Sequence, residues 1–271
     1  MTGNVVLTPF SLTPFSLFSR IVITGASDGL GAALACHYAA PDTVIGLIAR
    51  RREPMQALAS GLPGRFEIHA LDVADHAALE RAAQDFCARH GAPDLVIANA
   101  GLSVGTRGED SADLVKLRRL LEVNVTGLAA TLAAFAPAMR AARHGTLCGI
   151  ASVAAFRGLP GAGAYSASKA AAIQWLEALR VEMAGSGVAV VTICPGYIDT
   201  PMTQVNRYRM PFLLPADEAA RRIARAIRAR RRLAVIPWQM ALVSVFLRAL
   251  PGWLYDRLTA RAPRKPRDLP L

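Results

Sequence analysis

The chain has 271 residues, 53% of them hydrophobic, and a formal net charge of +11 at pH 7. That length and hydrophobic content allow one large domain with extensions and argue against an intrinsically disordered protein. The charge comes almost entirely from arginine, because Lys116, Lys169 and Lys265 are the only lysines. Seven arginines fall within residues 221–232, but no aromatic residue or nucleic-acid-reading motif accompanies them, so no nucleic-acid partner is expected.

The cysteines and the N-terminal segment exclude further classes. Cys36, Cys87, Cys148 and Cys194 are far apart and form no C-x-x-C or Cys/His cluster, so neither a metal site nor a disulfide framework is predicted. Residues 1–19 repeat the sequence Leu-Thr-Pro-Phe-Ser and lack the basic start of a secretory signal. We expect this segment to be a flexible extension and the protein to be cytoplasmic.

Apolar runs alternate with helical patterns along the chain. Strands are predicted to begin near Arg20, Thr43, Arg65, Asp94, Gly145, Val188 and Leu233, and helices to cover 29–40, 75–90, 111–141, 163–184 and 216–230. Pro137 is expected to kink or end its helix. The alternation predicts an α/β fold, a doubly wound parallel sheet of the Rossmann-like type, in a single domain over residues 20–237.

A glycine-rich turn follows the first predicted strand. The strand Arg20–Thr24 is followed by Gly25, Gly29 and Gly31 and then by an alanine-rich helical stretch. Glycines allow a phosphate to approach the backbone closely, and a helix N-terminus offers free N–H groups to it. The spacing differs from G-x-G-x-x-G, and glycines also serve ordinary turns, so the flanking strand and helix favour a phosphate site.

Tyr165 and Lys169 are four residues apart and would lie on one face of a helix. A nearby positive charge favours the phenolate, so we expect Lys169 to lower the pKa of Tyr165 and to make it a general acid or base. The alternative is a surface tyrosine beside a lysine whose stem covers apolar surface.

Six motifs in order resemble the short-chain dehydrogenase/reductase family over about Arg20 to Pro237. The segment 24–31 resembles its TGxxxGxG turn, Asp72-Val73 the pair that holds adenine, and residues 98–101 the NNAG element, with alanine in place of the first asparagine. Pro195-Gly196 and Thr200 resemble the stretch that closes over nicotinamide. The catalytic tetrad is matched in order by Asn124, Ser152, Tyr165 and Lys169.

The resemblance implies a role for each member of the tetrad. Lys169 would bond the nicotinamide ribose, and Tyr165 would exchange a proton with the substrate oxygen. Ser152 would stabilise charge on that oxygen. Asn124 would hold a water that links Lys169 to solvent. The alternatives are that Ser152 merely caps a turn and that Asn124 is a hydrogen-bonding residue inside a helix.

The resemblance also implies a cofactor site, and the second strand suggests which cofactor it takes. NAD sites usually place an acid at the end of that strand, whereas this chain has Arg50-Arg51-Arg52, whose guanidinium groups suit a phosphate. NADP(H) is therefore favoured, with Arg50 as the best candidate, although an arginine run can also begin a solvated helix. The implied cofactor-binding residues are Thr24, Gly25, Ser27, Asp28, Gly29, Leu30, Gly31, Arg50, Arg51, Asp72, Val73, Asn99, Ala100, Gly101, Tyr165, Lys169, Pro195, Gly196, Ile198 and Thr200.

An apolar loop over residues 197–214 is predicted to cover the substrate as a lid, unless it packs as an ordinary loop. We therefore expect an NADP(H)-dependent oxidoreductase that interconverts a ketone or aldehyde and an alcohol and that reduces a fairly apolar carbonyl. A 3-oxoacyl or sphingoid-type ketone reductase is the alternative enzyme. A non-catalytic NADP-binding regulator is the alternative of another class.

The C-terminal residues 238–271 are predicted to form an apolar helical extension and a basic tail. The uncharged run over residues 233–247 is 15 residues long, short of the ~20 that span a bilayer. Three possibilities are a helix packed on the core or on a partner, a peripheral anchor at the cytoplasmic face of a membrane, and a membrane span. The family resemblance implies a homodimer or homotetramer formed through the helix that carries Tyr165 and Lys169.

Overall fold

A computed structural model describes residues 18–206, 208–262 and 264–269. The predicted flexible extension lies almost entirely outside the described residues. Its last two residues belong to the folded domain, because Phe18 packs against the core and Ser19 donates from its backbone N and its Oγ to Asp94, at 3.0 and 2.9 Å. Phe18 and Ser19 therefore contact the domain that was predicted to begin at Arg20.

The main sheet has seven parallel strands in the order β3-β2-β1-β4-β5-β6-β9. The predicted doubly wound sheet is confirmed, and each strand begins within one residue of its predicted start. A second, two-stranded sheet of β7 and β8 was not predicted. The strands are β1 (Arg20–Thr24), β2 (Val44–Ala49), β3 (Arg65–Ala70), β4 (Leu95–Ala98), β5 (Thr146–Ile150), β6 (Ala189–Pro195), β7 (Ile198–Asp199), β8 (Leu214–Pro215) and β9 (Leu233–Ile236).

The predicted helices are present with ends within three residues, although the one predicted over 111–141 is divided into α4 and α5, and several short helices were missed. The helices are α1 (Gly29–Tyr38), α2 (Arg52–Ser60), α3 (His76–His90), α4 (Leu114–Leu121), α5 (Leu128–Ala142), α6 (Gly163–Glu182), α7 (Pro201–Gln204), α8 (Ala216–Arg228), α9 (Trp238–Ala249) and α10 (Gly252–Thr259). A π-helical turn, Glu122–Gly127, joins α4 to α5. Pro137 does not end its helix, which continues to Ala142.

The sheet is buried on both faces, which explains why its strands are continuous apolar runs instead of alternating ones. In β1, Ile21 and Ile23 belong to the core layer that also receives α1 and α8, whereas Val22 belongs to the opposite layer with α3, α5 and α6. The stretch Ser111–Ala142 is long and apolar enough to cross a bilayer by composition alone. Its residues Leu132 and Phe135 are fully buried in the second layer, as in the core helix of a globular domain.

The strand order reverses beside β1, which pairs with β2 on one side and with β4 on the other. The chain leaves β2 toward one edge of the sheet and leaves β4 toward the other edge. A crevice therefore opens at the carboxyl ends of these strands, where doubly wound sheets bind their ligands.

The C-terminal helices pack on the domain through one face only. Met240, Ser244 and Tyr255 are buried, and the Tyr255 hydroxyl donates to the Gly158 carbonyl at 2.5 Å. The Arg157 guanidinium lies 4.1 Å from the centre of the Tyr255 ring and also donates to backbone carbonyls at the end of α9. At 1.5 Å per residue α9 is about 18 Å long, too short to span a bilayer. The opposite face of both helices is exposed.

Candidate active site

The glycine turn brings three backbone segments into van der Waals contact at the end of β1. A Cβ on Gly31 would lie 2.1 Å from the Gly25 carbonyl oxygen, and one on Gly25 would lie 2.8 Å from the Ala100 Cα. Gly25 also has φ +68°, a conformation that other residues rarely adopt. The Asp28 side chain does not cap α1, so it leaves the N–H groups of the first turn for another acceptor.

Thr24 and Asn99 lock this turn to the end of β4. The Thr24 Oγ1 accepts hydrogen bonds from the backbone N of Asn99 at 3.0 Å and of Ala100 at 3.1 Å. The Asn99 Nδ2 donates to the Thr24 carbonyl at 3.0 Å. Thr24 is buried behind the turn, so it positions the residues that face the crevice.

A cavity of about 610 Å³ occupies the crevice. At one end it is lined by Arg50 and Arg51, and at the other by Tyr165 and Lys169. Of the predicted catalytic and cofactor-binding residues, all except Thr24 and Asn124 line it. The glycine turn, the open N-terminus of α1 and the arginines suit a dinucleotide, and the residues that would hold its pyrophosphate are those of the segment 25–31.

The two arginines at the cavity end differ in their partners. Arg51 donates to the Ser27 hydroxyl at 3.2 Å and forms an ion pair with Asp28. Among the described residues, Arg50 makes no ion pair within 4.0 Å, and its side chain is exposed at the cavity edge. Arg50 therefore remains available to an anionic ligand, whereas Arg51 is already neutralised.

Asp72 carries a partner that the sequence did not reveal. Burial alone would raise the pKa of Asp72, but the Ala74 amide and the Arg119 guanidinium outweigh burial and lower it. Arg119 forms an ion pair with Asp72 and also lines the cavity. Asp72 is therefore ionised, and its neighbour Val73 is buried and also lines the cavity.

Asn124 lies in the π-helical turn, behind the wall of the cavity. Its Nδ2 donates to the Leu102 carbonyl at 3.0 Å and to the Ser168 hydroxyl at 2.9 Å, and its Oδ1 accepts from the Leu102 backbone N at 2.8 Å. The carboxamide thus fixes the loop after β4 against α6. A water bridge from Asn124 to Lys169 stays a prediction.

Lys169 projects from α6 into a nearly closed environment, with 4% of its surface exposed. Its Nζ donates to the Ile150 carbonyl at the end of β5, at 2.9 Å. Burial lowers the pKa of Lys169 to about 8, because the interior disfavours the charged form. The lysine is therefore mostly charged at neutral pH and loses that charge in mildly alkaline solution.

Tyr165 and Ser152 face each other across the cavity end. Burial raises the pKa of Tyr165, and the hydrogen bond from the Ser152 side chain only partly offsets this. Lys169 was predicted to lower this pKa, but the pKa is raised instead, because desolvation of the phenolate is the largest effect on it. The phenol is protonated at neutral pH and can donate a proton. Ser152 also accepts from the Ala154 amide at 3.1 Å, so it caps a turn as well.

The predicted lid contributes only its first half to the cavity. Ile198, Met202 and Val205 line it, whereas Phe212 and Leu213 do not line it and are 47% and 41% exposed. Sequence reasoning missed nine lining residues that lie outside the predicted motifs and the predicted lid: Ala49, Leu71, Leu102, Ser103, Arg119, Val123, Ile150, Ala151 and Leu269. Within the described ranges, no group of three or more His, Cys, Asp or Glu side chains is arranged to hold a metal ion.

Comparisons with known proteins agree with this geometry. The family model described as short chain dehydrogenase matches residues 19–210. A Myxococcus xanthus protein named as an uncharacterized oxidoreductase is 37% identical over 247 residues, which cover 90% of this chain and 97% of that protein. An Arabidopsis thaliana 11-beta-hydroxysteroid dehydrogenase 1A is 32% identical over 195 residues, which cover 70% of this chain and 55% of that protein.

A solved structure shares both the fold and part of the sequence. It is an alcohol dehydrogenase from the archaeon Thermococcus sibiricus complexed with 5-hydroxy-NADP, with a TM-score of 0.70 and 26% identity. The match covers 80% of this chain and 95% of that one. The matched family model, the seven-stranded parallel sheet and the motif residues gathered around one cavity lead to a single assignment. The chain is an oxidoreductase of the short-chain dehydrogenase family, with a site for a nicotinamide nucleotide.

Proposed function

We propose that the protein is an NADP(H)-dependent oxidoreductase that reduces a fairly apolar ketone or aldehyde to an alcohol. The main support for this proposal is the set of side chains at the cavity end that Tyr165 and Lys169 line. There the protonated phenol of Tyr165, the Ser152 hydroxyl and the buried Lys169 ammonium line the same cavity as the segment 25–31, here called the dinucleotide cradle.

Each residue then has one task. Tyr165 donates its proton to the carbonyl oxygen, and Ser152 donates a hydrogen bond to the same oxygen. The Lys169 ammonium stabilises the phenolate that forms as the proton leaves. A nicotinamide nucleotide held in the cradle supplies the hydride. Asn124 positions the loop after β4 so that the wall keeps its shape.

The preference for NADP(H) rests on Arg50. At the end of β2 a 2′-phosphate would meet the Arg50 guanidinium, which makes no ion pair within the described ranges. The position that usually binds a free ribose hydroxyl holds no acidic residue. The relative from Thermococcus sibiricus, complexed with an NADP derivative, supports the same choice.

The apolar substrate class rests on the other walls of the cavity. Leu102, Met202, Val205 and Leu269 line it beyond the cradle and offer mainly aliphatic contacts. The Arabidopsis relative is named for a hydroxysteroid, which is a bulky apolar alcohol. A 3-oxoacyl or sphingoid-type ketone would also fit such walls, and a non-catalytic NADP-binding regulator is the alternative of another class.

A substrate panel tests the proposal. Purified protein is incubated with NADPH or NADH and with steroid, long-chain, 3-oxoacyl and small polar ketones, and cofactor oxidation is followed by absorbance. We expect NADPH oxidation with the apolar ketones. Turnover confined to small polar carbonyls would reject the substrate class, and no turnover with any ketone would favour the regulator.

We also propose that the exposed face of α9 and α10 lies against an anionic membrane. Six apolar side chains on this face are 60–69% exposed, and exposed Arg248, Arg257 and Arg261 accompany them: Trp238, Leu242, Val245, Phe246, Trp253 and Leu258. Such a combination binds anionic lipid surfaces. The protein would then work in the cytoplasm, at the membrane face.

A third proposal concerns self-association. Val181 on α6 and Val115 on α4 are 61% and 64% exposed, and α6 carries Tyr165 and Lys169. A second copy packed on α6 would cover such side chains in a homodimer or homotetramer. Val181→Glu should lower the mass found by light scattering without changing sedimentation with phosphatidylserine vesicles. Val245→Glu should do the reverse. If neither variant has its expected effect, both proposals fail.

A further inference from the structure

The segment 264–269, here called the C-terminal strap, lies across the loop that follows β4. The Gly105 backbone N donates to the Pro266 carbonyl at 2.8 Å. A Cβ on Gly105 would lie 2.1 Å from the Lys265 carbonyl oxygen, and one on Gly161 would lie 2.7 Å from the Arg264 Cβ. Glycine at these two positions therefore allows the strap to approach the domain at backbone contact distance.

Lys265 joins two walls of the cavity through the strap. Its Nζ donates to the Ser103 hydroxyl at 3.0 Å and to the Met202 carbonyl at 3.1 Å. Ser103 follows β4 and Met202 lies on α7, and both line the cavity. Lys265 is 8% exposed, although it belongs to a tail that the sequence predicted to be merely basic.

Arg267 fastens the strap from the other side. Its Nε donates to the Asp113 carboxylate at 2.9 Å, and it also forms an ion pair with Asp110. Asp113 is 4% exposed and holds the Arg107 backbone N at 2.8 Å, so it is part of a fixed loop. The strap is thus tied to the domain at both Lys265 and Arg267.

Because Lys265 and Arg267 hold the C-terminal strap against the domain, Leu269 of the strap lies at the cavity. It lines the cavity and packs against the small cluster of Val104, Leu120 and Ala164, on which the Tyr165 ring also packs. We propose that the C-terminal strap forms a wall of the substrate site, with Leu269 as a specificity-determining residue for the apolar part of the carbonyl substrate. Lys265 is then a positioning residue that keeps α7 and the β4 loop at a fixed separation.

This inference rests on the proposed function and adds a size criterion to it. In an apolar pocket one methylene group changes discrimination by about 10- to 200-fold. An indole at position 269 would occupy volume that a bulky substrate needs, whereas a small substrate would still fit.

The first experiment compares the kcat/KM values of a steroid ketone and of cyclohexanone with NADPH. Leu269→Trp is expected to lower the ratio of kcat/KM for the steroid ketone to kcat/KM for cyclohexanone at least tenfold relative to the wild type. Leu233→Trp is the matched control, because Leu233 on β9 is 43% exposed and does not line the cavity. Equal ratios in the two variants would overturn the role of Leu269.

A second readout does not depend on turnover. Hydrogen exchange at the Gly105 amide reports its bond to Pro266. Lys265→Met and Arg267→Glu are each expected to accelerate exchange about tenfold or more. Arg81→Glu, which makes the same charge change as Arg267→Glu on an exposed residue of α3, should not accelerate it. Unchanged exchange in both strap variants would overturn the inference. A wild type that shows protected Gly105 but reduces no ketone would instead reject the proposed function.

Discussion

The Lys169 ammonium lies 6.0 Å from the centre of the Tyr165 ring and directs its hydrogen bond to the Ile150 carbonyl instead of the phenol. The lysine therefore does not make the resting tyrosine acidic, and burial keeps the phenol protonated. Its charge would stabilise the phenolate when the proton leaves. The pair is suited to donating a proton to a substrate at neutral pH.

Reduction should weaken in alkaline solution. Lys169 is charged below its pKa of about 8 and neutral above it, so the phenolate loses its stabilising partner as the pH rises. We expect kcat/KM for ketone reduction to be level at pH 6–7 and to decline through about pH 8, approaching a tenfold loss per unit. Lys265→Met should retain this decline, although Lys265 also has a pKa of about 8. A profile that is level to pH 10 would exclude the role of Lys169.

Cofactor choice should depend on Arg50 more than on its neighbours. A charge-assisted bond to phosphate contributes about 1.5–3 kcal/mol, so Arg50→Ala should raise the KM for NADPH by about 10- to 150-fold and leave that for NADH nearly unchanged. Arg52→Ala is the control, because Arg52 does not line the cavity. An equal loss for both cofactors would show that Arg50 does not contact the 2′-phosphate.

Asp28 should oppose phosphate binding. It neutralises Arg51 by an ion pair at the cavity edge. Asp28→Asn would release Arg51 and remove a negative charge, so we expect a several-fold lower KM for NADPH in steady-state kinetics. A higher KM would mean that Asp28 helps to hold the cofactor.

The stability contributed by Lys265 should depend on pH. Its pKa is lowered by burial to about 8 from its ordinary value of 10.5, so between these values the unfolded state binds more protons than the folded state. Stability linked to this lysine therefore rises with pH over that window. The difference in unfolding free energy between wild type and Lys265→Met should shift by about 2–3 kcal/mol in favour of the wild type from pH 7 to pH 10. A difference that is constant in urea titrations at the two pH values would contradict the burial of this ammonium.

Thr24 should be needed to keep the dinucleotide cradle in shape, even though Thr24 itself does not line the cavity. Thr24→Val would leave two partly buried backbone N–H groups without this acceptor, at a cost of up to about 1–3 kcal/mol each, and should weaken NADPH binding. Thr146→Val is the matched control, because the buried Thr146 hydroxyl has no hydrogen-bond partner among the described residues. Its unfolding midpoint should be unchanged or higher. Similar losses in both variants would argue against the Thr24 link.

Local motifs made most of the site predictable. The segment 24–31 and the pair Tyr165 and Lys169 are contiguous or one helical turn apart, so their geometry follows from a single element. The strands were equally accessible, because a sheet covered on both faces requires apolar runs such as Ile21–Ile23.

The remainder depends on contacts that no local pattern encodes. Lys265 and Ser103 are 162 residues apart in sequence, and Lys265 lies in a tail whose composition indicates only a basic, solvated segment. The pKa of Tyr165 depends on whether burial or charge dominates, and only the packed structure gives that balance. The π-helical turn at Asn124 likewise lies inside a pattern that is indistinguishable from a continuous α-helix.

The most direct test of the central claim, that Tyr165 donates the proton, is a comparison of two tyrosine variants. Tyr38→Phe is the control, because the buried Tyr38 hydroxyl has no hydrogen-bond partner among the described residues. Single-turnover reduction of an accepted ketone is measured alongside NADPH affinity by fluorescence. We expect Tyr165→Phe to lose about 10²–10⁴-fold in rate and to keep NADPH affinity within a few-fold, while Tyr38→Phe keeps both. A Tyr165→Phe rate within about threefold of the wild type, well below the range for a lost general acid, would contradict the account.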